Sequence, residues 1–248
     1  MTNHRGNILE MRRAKQMTLG LKLDRRRENP GRPKGKHPRM PHEKRDPFPS
    51  EHPCHVTLRV IPGLSTLRDP DVAREIESAF RRGCERKEMR LVHYSILDDH
   101  AHLIVEAKGA QALGCGMKSI ASLFAFAVNR ALGRTGRVLA DRYHLRVLKS
   151  PRQVRNAIAY VLLNARRHAA KRIARLRKMG LKNVAPLGRA RGADVYSSGR
   201  WFEGWRAGIG NRPAAEPPVA QPRTWFLRKG WRLHGLIDPN ELPASAGT

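Results

Sequence analysis

The residues with the most chemical content stand in the run Leu97-Asp98-Asp99-His100-Ala101-His102-Leu103-Ile104-Val105-Glu106. β-Branched and apolar residues behind an Asp-Asp turn predict a strand. On a strand, side chains two apart share a face at a spacing of about 7 Å. His100 and His102 are therefore expected side by side, where two imidazoles can hold one divalent cation, with Ala101, Leu103 and Val105 turned towards a core. A His-x-His pair alone also suits a solvated sheet face, so its meaning depends on what the rest of the chain brings to it.

A helix further on brings a phenol. Ser150 is a natural N-cap, Pro151 suits the first helical position and Gln153 completes a capping box. At about 100° per residue, Val154, Ala157, Ile158, Val161 and Ala165 form one apolar stripe. Tyr160 falls about 120° away from its centre, and Asn164, four residues on, lies almost directly below it. A tyrosine placed for packing belongs within the stripe. Tyr143, in Asp141-Arg142-Tyr143-His144, is the competitor and ranks second, as a packing or phosphate-contacting residue. Tyr94 and Tyr196 have no comparable polar neighbours. A phenol with a pKa near ~10 is a poor nucleophile at neutral pH. It attacks phosphorus once a cation stabilises the developing charge and holds the phosphate in line. Two imidazoles leave positions open for phosphate oxygens, and the Asn164 amide could be a third protein ligand. Mg²⁺ prefers oxygen donors, and the His pair also suits Mn²⁺.

The elements that must position these groups follow from the pattern. His55 to Ile61 alternates as a strand and ends at Pro62-Gly63. Asp69 caps a helix striped by Val72, Ile76 and Phe80. A second strand over 91–97 makes a hairpin with the His100–Glu106 strand across Asp98-Asp99. A helix over 110–132, with Leu113, Met117, Ile120, Phe124 and Val128 inward, breaks at Gly133-Arg134-Thr135-Gly136-Arg137. A strand over 143–148 precedes the Tyr160 helix. The order β-α-β-β-α-β predicts an α+β, ferredoxin-like split βαβ fold, with a C-terminal helix carrying the phenol.

Charge points to the partner. The 248 residues carry 49 Lys and Arg against 21 Asp and Glu, a net charge of +28. Such self-repulsion serves no enzyme of small metabolites; a polyanion, most simply nucleic acid, gives it a purpose. No apolar run approaches the roughly 18 residues of a spanning helix. Three cysteines without Cys-x-x-Cys spacing suit a reducing cytoplasm rather than a disulfide framework. Residues 1–52 hold 14 Lys and Arg among repeated prolines and predict a disordered basic arm. From Arg142 to Ala193 there are 15 Lys and Arg and no acid, so the Tyr160 helix lies in the most positive part of the chain. Arg134, Arg137, Arg142, Arg146, Arg166, Arg167, Lys171 and Arg172 are the candidate phosphate contacts. Trp201, Trp205, Trp225 and Trp231 all follow residue 200. They read first as anchors for a Pro- and Gly-rich extension and second as base-stacking platforms.

His100-Ala101-His102 with Leu103-Ile104-Val105-Glu106 resembles the HUH motif of single-tyrosine transposases. Tyr160-Val161-Leu162-Leu163-Asn164-Ala165-Arg166 resembles their nucleophile helix, and Asp141-Arg142-Tyr143 the Arg-Tyr that opens their fourth strand. The chain resembles the REP-associated tyrosine transposases and similar bacterial chromosomal proteins, over roughly residues 52–170. That resemblance implies a catalytic domain over 53–170, between the arm at 1–52 and a basic extension over 171–248. It also implies a cytoplasmic, nucleoid-associated enzyme that cleaves and rejoins single-stranded DNA, often at hairpins. Tyr160 would form a 5′-phosphotyrosine and free a 3′-hydroxyl; His100, His102 and Asn164 would ligate Mg²⁺ or Mn²⁺. Both monomers and homodimers occur among such relatives. Asp98-Asp99 departs from their Pro-Asn before the first His, and Ala165-Arg166 from their Pro-Val. The competing reading is a non-catalytic DNA- or RNA-binding protein on the same fold. A ribosome- or RNA-associated basic protein comes third, and gives no reason for the His pair and Tyr160.

Overall fold

In the computed structural model, residues 45–86, 88–181, 183–189, 192–208 and 213–243 are described. The basic arm expected at the N-terminus lies outside them up to residue 44. Its last residues, 45–52, lie against the sheet: the Arg45 guanidinium sits 4.2 Å from the Tyr143 ring centre and donates to the Tyr143 carbonyl.

The chain runs β1 (Cys54–Arg59), α1 (Pro70–Gly83), β2 (Glu85–Arg86), β3 (Met89–Ile96), β4 (His100–Ala107) and α2 (Ala110–Ala131). Then follow β5 (His144–Val147), α3 (Pro151–Leu162), α4 (Asn164–Lys178) and the one-turn α5 (Trp225–Arg228). The strands lie in the order β2-β3-β4-β1-β5, every neighbouring pair antiparallel. With the two-residue β2 set aside, this is the α+β split βαβ arrangement expected from the element order.

Local chemistry sets the boundaries. The Asp69 carboxylate accepts from the Asp71 and Val72 amides at the start of α1, with Pro70 behind it. At α3 the Ser150 hydroxyl accepts from the Gln153 amide, and the Gln153 side-chain oxygen accepts from the Lys149 amide. The box thus reaches one residue further back than the usual pattern.

Both faces of the sheet are covered. On one, Val56, Leu58, Leu91, Tyr94, Ile96, Ala101, Leu103 and Val105 meet α1 and α2 through residues such as Ile76, Phe80, Met117 and Phe124. α2 is long and apolar enough to cross a bilayer by composition, which the run-length expectation missed, but Leu113, Met117, Ile120, Phe124 and Val128 are in this core. On the other face, Val92, Ile104 and Leu148 meet Val154, Ile158 and Val161 of α3 together with Leu227, Trp231 and Ile237 of the C-terminal segment.

That segment is strapped down as well as packed. Arg68 makes a two-pronged pair with Asp194 at 2.8 and 2.9 Å, and Arg155 another with Glu241 at 2.7 Å. Arg200 pairs with Glu77 at 2.9 Å. The buried Glu106 carboxylate accepts from the Arg223 and Thr224 amides and the Thr224 hydroxyl. Trp201 and Trp231 are buried anchors; the Trp231 indole donates to the Leu227 carbonyl at 3.1 Å.

The single helix expected through Tyr160 and Asn164 is two helices. α3 ends at Leu162, and α4 begins at Asn164 after Leu163 takes φ −107°, ψ 12°. α3 follows the sheet while it has an apolar stripe to bury. α4 is cationic on nearly every side, and of its 15 residues only Asn164 is buried. With no stripe left to bury, the chain leaves the core there.

Candidate nucleic-acid cleavage site

Strand register gathers the polar groups on the α3 face. Thr57 of β1 pairs with His102 of β4 on one side and His144 of β5 on the other; His55 likewise pairs with Ile104 and Arg146. Ser95 of β3 completes the row through His102. Period-2 alternation therefore presents His55, Thr57, His100, His102, His144 and Arg146 together, while Leu58, Ala101, Leu103 and Val105 go to the opposite core.

The His pair is oriented from behind. The two Nε2 atoms face each other at 3.1 Å, with the rings nearly perpendicular. His100 donates from Nδ1 to Asp99 Oδ1 at 2.6 Å. His102 Nδ1 lies 3.0 Å from Thr57 Oγ1 and 3.1 Å from His55 Nε2. A proton on each Nδ1 leaves both Nε2 lone pairs directed at one point, the tautomer arrangement of metal-ligating histidines backed by outer partners. Burial, followed by the neighbouring His55 and His100, pulls the His102 pKa down to about 2. Burial, then His144 and Arg146, lowers that of His55 to about 4. At neutral pH both of these rings are uncharged, which leaves His102 a lone pair for a cation and His55 able to back it. Burial raises the Asp99 carboxyl, but the hydrogen bond and charge of His100, together with Arg59, outweigh it and the net shift is downward.

Tyr160, half-buried on α3, has its ring 5.1 Å from that of His102 and 5.7 Å from that of His55. The Arg167 guanidinium stands 5.2 Å from the Tyr160 ring centre. His168, one residue on, lies 6.3 Å from His100, ring to ring. Beside His100 a groove of about 410 Å³ opens between the β3–β4 turn and α4, lined by Arg68, His168, Ala169 and Arg172 among others.

Asn164 is fully buried at the start of α4. Neither of its amide atoms has a hydrogen-bond partner, so it is not bonded to either histidine. A buried amide without a partner is costly, and its oxygen is of the type a hard cation accepts. Among the described residues no three His, Cys, Asp or Glu side chains converge as ligands. Any further donors must be an amide, water or substrate oxygen, which suits a hard ion.

Of the other sequence-selected residues, Arg146 stands on the site face in register with His55, and Arg172 lines the groove. Lys171 is exposed on α4, and Arg142 immediately precedes the Tyr143 that Arg45 covers. Arg134 and Arg137 instead close the loop after α2, donating to Asn129 Oδ1 and to the carbonyls of Arg137, Leu139 and Ala140. Arg166 donates to the carbonyls of Gly188 and Asn240 and so braces the C-terminal segment. Tyr94, set aside in the sequence for want of polar neighbours, is buried and donates to Glu77, while Tyr143, the competitor, carries the Arg45 guanidinium over its ring. Sequence reasoning missed His55, Thr57, Asp99 and His168. His55 and Thr57 repeat on β1 the two-residue spacing of His100 and His102 on β4, and that repetition was the available signal.

Residues 50–161 match the family described as "Transposase IS200 like", a span that contains His100, His102 and Tyr160 and ends before Asn164. Among solved structures, a REP-associated tyrosine transposase bound to a REP hairpin is 13% identical. The match covers 61% of this chain and 92% of that one, at a TM-score of 0.44. No curated protein matches significantly. Over residues 50–161, just under half of its length, the chain is similar to the IS200-like transposases.

Proposed function

We propose that this protein is a metal-dependent transposase and endonuclease of single-stranded DNA, with Tyr160 as nucleophile and hairpin-forming sequences as its targets. The observation that supports this most directly is the Tyr160 ring 5.1 Å from a histidine whose free Nε2 faces a second histidine's at 3.1 Å. Tyr160 Oη loses its proton and attacks phosphorus. The new O–P bond forms as the bond to the 3′ oxygen breaks, and the departing oxygen takes up a proton. A 5′-phosphotyrosine and a free 3′-hydroxyl result, and the reverse attack by another 3′-hydroxyl rejoins the strand without an energy source.

His100, His102 and Asn164 would hold Mg²⁺ or Mn²⁺, which when bound polarises the phosphate and neutralises its charge. Thr57, His55 and Asp99 keep the two imidazoles in the ligating tautomer. Arg167 sets positive charge against the Tyr160 ring, where phenolate character develops. Arg146, Lys171 and Arg172 draw phosphates in without reading sequence. In this reading 53–170 is the catalytic region, 171–248 an extension of it, and the setting the cytoplasm beside the nucleoid.

The test is incubation with single-stranded hairpin DNA and Mn²⁺, followed by mass spectrometry of any protein–DNA adduct. The expected result is an adduct on Tyr160 that chelator abolishes and Tyr160→Phe removes. Cleavage that survives Tyr160→Phe overturns the assignment. Salt-dependent binding indifferent to chelator and to His100→Ala, with no adduct, identifies a non-catalytic binder.

A further inference from the structure

The four tryptophans do not share one role. Trp201 and Trp231 are 8% and 2% exposed. The Trp205 indole donates to the Gly199 carbonyl at 3.0 Å, and its ring is half-buried against Phe202. Trp225 is different: it is 51% exposed, an unusual position for the residue with the most apolar surface to hide.

Trp225 is nonetheless held rigidly. One edge lies over Gly230 so closely that a Cβ there would collide with the ring, and Phe226 meets it edge-on at 5.4 Å. α5 itself is pinned by the Thr224 hydroxyl, which caps it while donating to Glu106. The exposed ring is thus fixed as a flat apolar surface. Arg228 and Lys229, both exposed, stand within four residues of it, and exposed Arg223, whose guanidinium pairs with Glu85 at 3.2 Å, precedes the helix cap.

Aromatic contacts lead from this ring towards the cleavage site. Phe226 packs edge-on against His52 at 5.4 Å. His52 precedes by three residues His55, whose ring is 5.7 Å from Tyr160. Three residues of extended chain span about 10 Å, so Trp225 lies within the roughly 4–16 nucleotides that a single-strand groove covers.

We infer that Trp225, with Arg223, Arg228 and Lys229, is a second DNA contact: a platform on which an unpaired base of the strand engaged at Tyr160 stacks while the cations hold its phosphates. This rests on the DNA reading above and adds a subsite to it. A flat ring accepts any base, so the platform contributes affinity without sequence preference.

The experiment uses the full chain and a fluorescein-labelled oligo-dT, with binding read by anisotropy and by quenching of intrinsic tryptophan emission. Trp225→Ala is expected to weaken binding about ten-fold or more. Trp225→Phe, which keeps the cover over Gly230, should retain most of the affinity while losing most of the quenching. Leu233→Ala, which removes an exposed apolar side chain from the adjoining turn (72% exposed), should bind as wild type. If Trp225→Ala binds like Leu233→Ala, the ring is only a cover for Gly230 and the inference fails, with the DNA reading intact. If duplex DNA suffers the same loss as oligo-dT, the single-strand assignment fails. A wild-type chain that binds no nucleic acid overturns the DNA reading, and this subsite with it.

Discussion

His100 and His102 direct their Nε2 atoms at each other across 3.1 Å. Two uncharged imidazoles held in this way repel through their lone pairs unless a proton or cation lies between them. The geometry is costly for a bare sheet face and favourable for a loaded one. His100→Ala and His102→Ala should therefore each lower Mn²⁺ affinity at least ten-fold, read as free Mn²⁺ by electron paramagnetic resonance. Neither should lower the melting temperature by much, and equal affinity in all three proteins would remove the cation from the site.

Outer partners should matter almost as much as the two histidines. Thr57→Val keeps the shape of the side chain and removes the hydroxyl 3.0 Å from His102 Nδ1. Asp99→Ala removes the carboxylate that fixes the His100 tautomer. Each is expected to weaken Mn²⁺ binding roughly 10–100-fold, with circular dichroism unchanged.

Acid should destabilise the fold through His55. The ring is 5% exposed, and its pKa is about 4 against an ordinary 6.5. Between those values the unfolded chain takes up a proton that the folded chain refuses. The stabilisation is complete above about pH 6.5 and is lost as pH falls towards 4, to a total of about 3 kcal/mol. Urea unfolding at about pH 7 and about pH 4.5 measures the loss. His55→Gln, which does not titrate, should show a smaller difference between the two.

Glu106 should be a clamp for the C-terminal segment. The carboxylate is 4% exposed and accepts from the Arg223 and Thr224 amides. Glu106→Gln turns a donor towards those donors and should cost about 2–3 kcal/mol. The visible consequence is faster tryptic cleavage after residue 200, with 54–147 still protected. An unchanged digestion pattern would show that the buried tryptophans hold the segment without it.

The sheet, its strand order and the His100–His102 face were legible because hydrophobic alternation fixes which side chains share a face, and β-α-β-β-α-β leaves few ways to pair the strands. The half-buried placing of Tyr160 was legible for the complementary reason: it stands outside an otherwise clean stripe. The break at Leu163 was not, since nothing at Leu162-Leu163-Asn164 is a helix breaker; what ends α3 is the loss of any apolar stripe in the residues that follow. His55 was read as the first residue of a strand and no more, because its partnership with His102 depends on a cross-strand register set by contacts 47 residues apart. Arg134 and Arg137 were misleading in the opposite sense: charge count cannot distinguish a guanidinium spent on loop carbonyls from one facing a phosphate.

The span that matches the family is shorter than the span that folds. Ile104 and Val92 lie under α3 on one side and under Trp231, Leu227 and Ile237 on the other. A fragment trimmed to residues 50–161 would lose Leu162, Leu163, Leu227, Trp231 and Ile237 from that second core and open it to water. A minimal folded fragment should keep the chain through Glu241, whose carboxylate grips Arg155 from nearly the end of the described sequence.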